Sequence, residues 1–440
     1  MIQLYQHQKV ELAHLRLNDS FAIFAEQGTG KTLPILFRLL ELIKSEKIGC
    51  ALIVCPKAVM GSWHRDVDKF DVGDAALLRN HIEVINYDRV WRGSAYRETR
   101  WDAIVLDESH KIKRHTTKRS ACLLEMALHS RYRYILTGTP ISNGQLENIW
   151  SQFAFLEPRK GRRSIESVIF GGTYYQWLDR YAFLNKYHQP YRYRCVDELQ
   201  EIIAQHSYRV LKSECLDLPE KLPDEIYDIH LPKATVRIYK QMHEESVVED
   251  ADVLARNPLA RLLRLRQICS GYLPTDEGEM MLENEKVAAL EDFLDGWEKK
   301  LVIFAEFRKS IDIICGLLTK LGVEYVVLDG RQTDKTIWKR FQTEYAIRVI
   351  VCQYQSANAG IDLYAADTML FYEPTLSSNV LEQAKDRIHR IGQHSPCSYI
   401  HFLTVGSVEK AIYRALCGYR DFGEKLFSEY MTEYQKGWST

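Results

Sequence analysis

Residues 21–43 read "FAIFAEQGTGKTLPILFRLLELI", and three local patterns follow one another within them. An apolar run of strand length comes first, then a glycine turn, and then Leu36, Leu39, Leu40 and Ile43 recur at helical spacing. Strand, glycine loop and helix in that order make a cradle for phosphate. Gly28 and Gly30 let backbone N–H groups approach phosphate oxygens, and the amino end of the helix adds a favourable field. Lys31 is then spaced to reach the β and γ phosphates, and Thr32 offers a hydroxyl to magnesium. Pro34 falls in the first helical turn, where a missing N–H does no harm. A glycine turn before a helix can also be a turn and nothing more, and the full phosphate-loop pattern asks for Gly where this chain has Ala25.

A second motif decides between those readings. "AIVLDESH", residues 103–110, ends an apolar strand in two adjacent carboxylates, Asp107 and Glu108. One is placed to hold magnesium, directly or through water, and its neighbour to position or activate a water molecule. With the glycine loop upstream, the pair points to ATP and Mg2+ as cofactors.

Working outward, short apolar runs recur between helical patterns from residue 20 to 140: "FAIFAE", "CALIVCPK", "HIEVINYD", "DAIVLDES" and "YRYILTGTP". After residue 300 the rhythm returns in "KLVIFAEF", "EYVVLDG", "RVIVCQY", "TMLFYE" and "CSYIHFLTV". Strands of this kind, alternating with helices, predict parallel sheets covered on both faces. The fold class is therefore α/β, with two parallel-sheet lobes of similar plan, residues 1–150 and 286–440. Residues 151–285 change to "YYQWLDRYAFLNKY" and "NPLARLLRLRQI", broken by "LDLPEKLPDE", which predicts a helical insertion and a proline-punctuated connector. No repeat of 20 to 50 residues is present, so solenoids and propellers are excluded.

A chain of 440 residues is too long for one core, and 46% apolar with 27% charged residues suits a globular protein. The formal net charge of -1 leaves nucleic acid open, since phosphate binding needs only a local basic surface. The ten cysteines include no C-x-x-C pair and no Cys/His cluster at zinc spacing, against a disulfide framework or structural metal. No window approaches about 18 consecutive apolar residues, so no membrane span is expected. The expected location is the cytoplasm, that of the host cell if the chain is phage-encoded.

In order along the chain, these motifs resemble those of the Swi/Snf-type ATPases of the helicase-like second superfamily, which are double-stranded DNA translocases. The resemblance implies two RecA-like parallel-sheet P-loop lobes, residues 1–150 the N-terminal ATP-binding lobe and 286–440 the C-terminal helicase lobe. "LYQHQ" at 4–8 resembles the opening glutamine motif, which implies Gln6 as an adenine reader. "AEQGTGKT" at 25–32 is the helicase form of the phosphate loop, where Ala25 is ordinary and Thr29 joins Gly28, Gly30, Lys31 and Thr32. "DESH" stands where the family usually has Asp-Glu-Ala-His, and "LTGTP" at 136–140 is similar to its coupling motif. "LPEK" and "LRLRQICSG" match the connector, and "EQAKDRIHRIGQ" at 382–393 is close to the sixth motif. The resemblance implies coupling roles for His110, Thr137, Thr139 and Gln383. The fifth motif departs from the usual pattern: "SANAGIDL" keeps Gly360 as a nucleotide-side residue but has Ala357 and Asn358 at the paired glycines and Asp362 for the usual Asn.

Arg387 and Arg390 in "DRIHRIGQ" stand three residues apart, on one face if the segment is helical. Alone they read as surface ion-pair partners. Beside a phosphate loop they become the cations that phosphoryl transfer needs, supplied by the second lobe. The family further implies a groove that grips the DNA backbone with little regard to sequence. Lys57, Tyr87 and the run "HKIKRHTTKR" with Lys111, Lys113 and Arg114 are its candidates. "KYHQPYRYR" at 186–194 and Trp63 are read as packing ahead of DNA contact.

The function expected is a monomeric, duplex-DNA-dependent ATP hydrolase that translocates without separating strands. Alternatives are a strand-separating or branch-remodelling helicase and a catalytically silent clamp. A partner protein such as a nuclease is allowed for, and the compact length favours a prokaryotic or bacteriophage setting over nucleosome remodelling.

Overall fold

The five apolar runs of the first lobe all become strands: β1 (Ser20–Ala25), β2 (Ala51–Cys55), β3 (Ile82–Asn86), β4 (Ala103–Asp107) and β5 (Tyr132–Leu136). A sixth, β6 (Ser207–Val210), joins them in the order β6-β1-β5-β4-β2-β3, every pair parallel. The second lobe repeats the plan. Its strands β7 (Glu225–Ile229), β8 (Leu301–Ala305), β9 (Tyr325–Leu328), β10 (Val349–Gln353), β11 (Thr368–Phe371) and β12 (Ser398–Thr404) form a parallel sheet in the order β7-β12-β11-β8-β10-β9.

These contents come from a computed structural model that describes residues 2–141, 144–162, 164–215, 218–248, 253–255, 257–276, 278–334, 336–357, 361–423 and 426–431. The chain divides into two compact units, Met1–Asp217 and Leu218–Thr440, so residues 151–285 are shared between them. That stretch is also less purely helical than its sequence suggests, because it supplies the sixth strand of each sheet.

Burial on both faces explains why the strands read as unbroken apolar runs. All five residues of β2, of β4 and of β8 are buried. The helices α1 (Gln6–Leu17), α2 (Thr32–Lys44) and α3 (Met60–Val67) accompany the first sheet. On α2, Ile35, Leu36, Leu39, Leu40, Leu42 and Ile43 are buried in a core shared with β1 and β2, each contributing about 1.5–3 kcal/mol. The helix Asn148–Leu156 buries all nine of its residues.

Strand order, more than any single contact, assembles the site. Leu136 at the end of β5 lies level with Ile23 of β1 on one side and with Asp107 of β4 on the other. The loops that follow β1, β5 and β4 therefore leave the sheet side by side at its carboxyl edge, where open α/β sheets hold ligands.

None of the ten cysteines is joined in a disulfide; Cys195 in the first unit and Cys417 in the second are exposed. Among the described residues no helix is long and apolar enough to cross a membrane, and no group of three or more His, Cys, Asp or Glu could hold a metal by itself.

Candidate nucleotide site

After β1 the chain turns through Gly28 (φ 85) and Gly30 (φ 79), both in the left-handed region that glycine favours. A Cβ at Gly30 would also stand 2.4 Å from the Gln8 amide nitrogen. Thr29 between them is fully buried and its hydroxyl donates to the Glu26 carbonyl at 2.8 Å. Helix α1 holds this loop from outside: Gln8 Nε2 donates to the carbonyls of Gly30 (3.0 Å) and Thr29 (3.3 Å), and His7 Nε2 lies 2.8 Å from the latter. Gln6, expected to read adenine, is exposed at the start of α1. The glutamine that meets the phosphate loop is Gln8, two residues on, which is buried.

Lys31 is almost enclosed and its ammonium lies 3.4 Å from Glu108 Oε1. Burial would lower its pKa, but Glu108 and then Asp107 raise it, so the charge is kept. Burial pushes the Asp107 carboxyl up to about 6 against the pull of Lys31. For Glu108 burial also raises the pKa, yet Lys31 and His110 outweigh it and hold the carboxylate well below its ordinary range. The negative charge beside Lys31 therefore rests first on Glu108. Glu108 takes a left-handed backbone (φ 54), unusual for a residue with a side chain, directly after β4.

The neighbours of the two acids fix their orientation. Asp107 Oδ2 accepts from the Trp63 indole N–H at 3.0 Å and its Oδ1 from the Glu108 backbone N–H at 3.0 Å. Gln27 Nε2 donates to Glu108 Oε1 at 3.3 Å. His110 Nδ1 lies 3.3 Å from Glu108 Oε2 and 3.2 Å from the Thr137 hydroxyl, so one ring joins the acid turn to the loop after β5. Thr139 donates its N–H to that same Thr137 hydroxyl at 3.1 Å. The coupling residues His110, Thr137 and Thr139 are thus in one hydrogen-bonded chain.

For a divalent cation the donors at hand are the Thr32 hydroxyl and the Asp107 carboxylate, the oxygen ligands that magnesium prefers. Asp107, buried and raised in pKa, is a group that a cation would return to its charged form. In this structure the Thr32 hydroxyl donates to Asp66 on α3, which also pairs with Lys69 at 2.6 Å. Asp66 was not singled out in the sequence. Two further residues were missed. Gln152 accepts from the Ser109 hydroxyl at 2.7 Å and donates to the Pro140 carbonyl at 2.7 Å. Glu11, one turn after Gln8, is fully buried, and neither carboxylate oxygen finds a hydrogen-bond partner among the described residues. Its i, i+3 relation to Gln8 was the available signal.

The DNA candidates separate. Lys57, Lys111 and Arg114 are exposed and Lys113 is half-buried. Tyr87 is corrected: it is 3% exposed, with its hydroxyl donating to the Asp107 carbonyl at 2.8 Å, so it belongs to the core behind the acids and not to a surface. Trp63 is likewise fully buried.

In the second unit the helix Ser378–Lys385 stops before Asp386, and "DRIHRIGQ" runs on as successive turns, with Gly392 at φ 101. Arg387 and Arg390 therefore do not share a helical face. Arg387 is buried and its carbonyl accepts from Leu363 N–H at 2.9 Å. Arg390 donates to the Ile361 carbonyl at 3.1 Å and forms an ion pair with Asp362, the residue that replaces the usual Asn. Gln393 closes the turn, its amide donating to the carbonyls of Ala366 (2.8 Å) and Ile388 (3.2 Å). Gln383 is half-buried on the preceding helix. Gly360 lies outside the described residues, as does Asn358.

Residues 74–272 match the SNF2-related domain and residues 285–392 the helicase conserved C-terminal domain. An uncharacterized ATP-dependent helicase of Mycoplasma pneumoniae is 26% identical over 438 residues, covering 93% of this chain and 40% of its own length. The chromodomain-helicase-DNA-binding protein 1-like protein of Danio rerio is 26% identical over 88% of this chain and 40% of its own. The chain thus spans about 40% of the length of these curated relatives. The solved Sulfolobus solfataricus SWI2/SNF2 ATPase core in complex with dsDNA is 25% identical, with a TM-score of 0.45 and coverage of 97% of this chain and 92% of that one.

Proposed function

We propose that this chain, whose residues 74–272 and 285–392 match the SNF2-related and helicase conserved C-terminal domains, hydrolyses ATP and uses the cycle to translocate along duplex DNA without separating the strands. The observation that carries this reading is the buried Lys31–Glu108–Asp107 set at the carboxyl edge of a parallel sheet, behind a loop with two left-handed glycines. In this reading the loop N–H groups and Lys31 bind the phosphates, Lys31 exchanging Glu108 for phosphate oxygen. Thr32 and Asp107 would hold Mg2+, which would supply neutralisation of phosphate charge. Glu108, ionised and aimed by Gln27 and His110, orients the attacking water and accepts its proton.

Arg387 and Arg390 are proposed as the cations that meet the developing charge, since a guanidinium fork suits phosphate better than a lysine point charge. The His110–Thr137–Thr139 chain and Gln383 are proposed to relay the state of the nucleotide. Lys57, Lys111, Lys113 and Arg114 are proposed to grip DNA phosphates, giving affinity that falls with salt and varies little with sequence.

Phosphate release measured with and without duplex DNA tests the proposal. Slow basal turnover that rises with duplex is expected, with Lys31→Ala and Glu108→Gln inactive. Arg387→Ala is expected to bind nucleotide and not turn it over; full turnover in that variant removes its assigned role. Displacement of a triplex strand without unwinding of a fork separates translocation from strand separation.

A further inference from the structure

Between the helices Tyr174–Tyr181 and Val196–Gln205 the chain forms an antiparallel hairpin, Ala182–Leu184 paired with Pro190–Tyr193. Its foot is fastened to the first unit. Ala182 is buried, and the Tyr193 hydroxyl bonds to Glu147 while accepting the Leu146 N–H at 3.1 Å. Its tip is set in one conformation, because Asn185 Oδ1 accepts the N–H groups of Tyr187 (2.9 Å) and Gln189 (3.0 Å) and His188 takes a left-handed φ of 56.

What this rigid tip presents is unusual. Tyr187 is 69% exposed, Tyr191 67% and Phe183 39%, although aromatic rings dominate cores and interfaces when they can be buried. Cations lie over two of the rings: Lys186 Nζ is 5.0 Å from the Tyr187 centroid and the Arg194 guanidinium 5.0 Å from that of Phe183. Residues 182–194 carry Lys186, Arg192 and Arg194 and no carboxylate, in a chain of net charge -1. Two of the tyrosines read as packing in the sequence, Tyr187 and Tyr191, are at the surface, and every Lys or Arg charge within residues 182–194 stands unopposed by a carboxylate of that segment.

We propose that this hairpin is a binding site for unpaired nucleotides, whose bases stack on Tyr187 and Tyr191 while Lys186 and Arg192 meet the phosphates. The choice between partners follows from their chemistry. A duplex presents phosphates to cations but keeps its base faces stacked on one another, so the rings would be idle against it. An unpaired strand offers both, and each base stacked on an aromatic side chain tightens binding about 5- to 150-fold. The inference rests on the proposed DNA translocase and narrows its substrate to duplex carrying an unpaired arm.

Fluorescence anisotropy without nucleotide tests it, comparing a blunt duplex with the same duplex bearing an oligo-dT arm. The wild type is expected to bind the armed duplex at least about tenfold more tightly, the equivalent of one or two stacked bases. In the double variant Tyr187→Ala/Tyr191→Ala that preference is lost, with blunt-duplex affinity and the melting curve unchanged. Tyr187→Phe/Tyr191→Phe, which keeps the rings, retains it. A wild type indifferent to the arm, or a double alanine variant that keeps the preference, overturns the proposal; the first result is what a protein-docking hairpin would give, and the second places the arm elsewhere. Absence of duplex-stimulated phosphate release would defeat the translocase reading and leave the anisotropy result to decide the hairpin.

Discussion

Glu11 shows how much one side chain can weigh. Burial pushes its pKa up to about 8 from an ordinary 4.5, with Lys31 opposing. An acid raised on folding binds a proton in the native state that the unfolded chain has already lost. No penalty is felt below about pH 4.5, stability falls as pH rises from there to about 8, and the loss is complete above it. At pH 7 that difference is about 3 kcal/mol. Glu11→Gln is expected to raise the urea midpoint of the first unit by an amount that grows from pH 5 to pH 8; a gap independent of pH would contradict this. At this scale the sequence was partly legible. Spacing alone pointed to Lys31, Thr32, Asp107 and Glu108, because a phosphate loop needs those residue types in that order, and the fold brings Lys31 and the two acids together. The motif reads as placing Gln6 at the nucleotide, and nothing in the string shows that Gln8 is the one that bonds the phosphate loop, since only the direction each takes from α1 separates them. Tyr87 was misjudged because an exposed and a buried tyrosine look alike in a string, and only its bond to the Asp107 carbonyl shows which this is.

At the scale of elements, the helix Asn148–Leu156 acts as a strut. Through Gln152 it ties the turn after β4 to the turn after β5, and through Asn148 O at 2.9 Å it holds Gln152 itself in place. Gln152→Leu keeps the volume and removes both bonds, leaving a buried Ser109 hydroxyl and the Pro140 carbonyl without that partner. Unsatisfied buried groups lose about 1–3 kcal/mol each. The variant is expected to unfold at lower urea and to lose duplex stimulation of phosphate release before it loses nucleotide binding. An unchanged midpoint would show that the strut carries no load. Apolar periodicity announces such a helix but not the one polar residue inside it. The reverse failure occurred at "DRIHRIGQ": arginines three apart suggested a helix, but the helix ends at Lys385 and the arginines stand in the turns beyond it. The Arg390 side chain is placed by Asp362 and the Ile361 carbonyl, which no local pattern encodes.

At the scale of the molecule, each unit has its own cores, and the second is tied through a fully buried ion pair. Lys286 Nζ lies 2.7 Å from Glu409 Oε1 and donates to the Tyr372 carbonyl at 2.9 Å, while Glu409 Oε2 accepts the Thr404 N–H at 2.9 Å. Lys286→Met leaves the carboxylate buried without its cation, a loss of about 3–5 kcal/mol. Hydrogen exchange is expected to quicken in β8 and β11 and stay unchanged in β1 and β4; equal loss of protection in both units would show that they unfold as one. The ten apolar runs were legible: eight are inner strands, which when buried on both faces leave no polar alternation, and the edge strands β3 and β9 still carry Val with Ile or Leu. The sixth strand of each sheet was not. β6 and β7 pair on one side only, and "SYRV" and "EIYDI" carry too many polar residues to stand out from a helical surround. The free thiols described earlier offer a use of their own. Cys195 and Cys417 are the exposed members of the set and fall one in each unit. Maleimide dyes would enter there ahead of the half-buried and buried thiols, giving a donor and an acceptor on opposite halves of the natural chain. Energy transfer between them would then report, molecule by molecule, whether nucleotide and DNA move one half against the other.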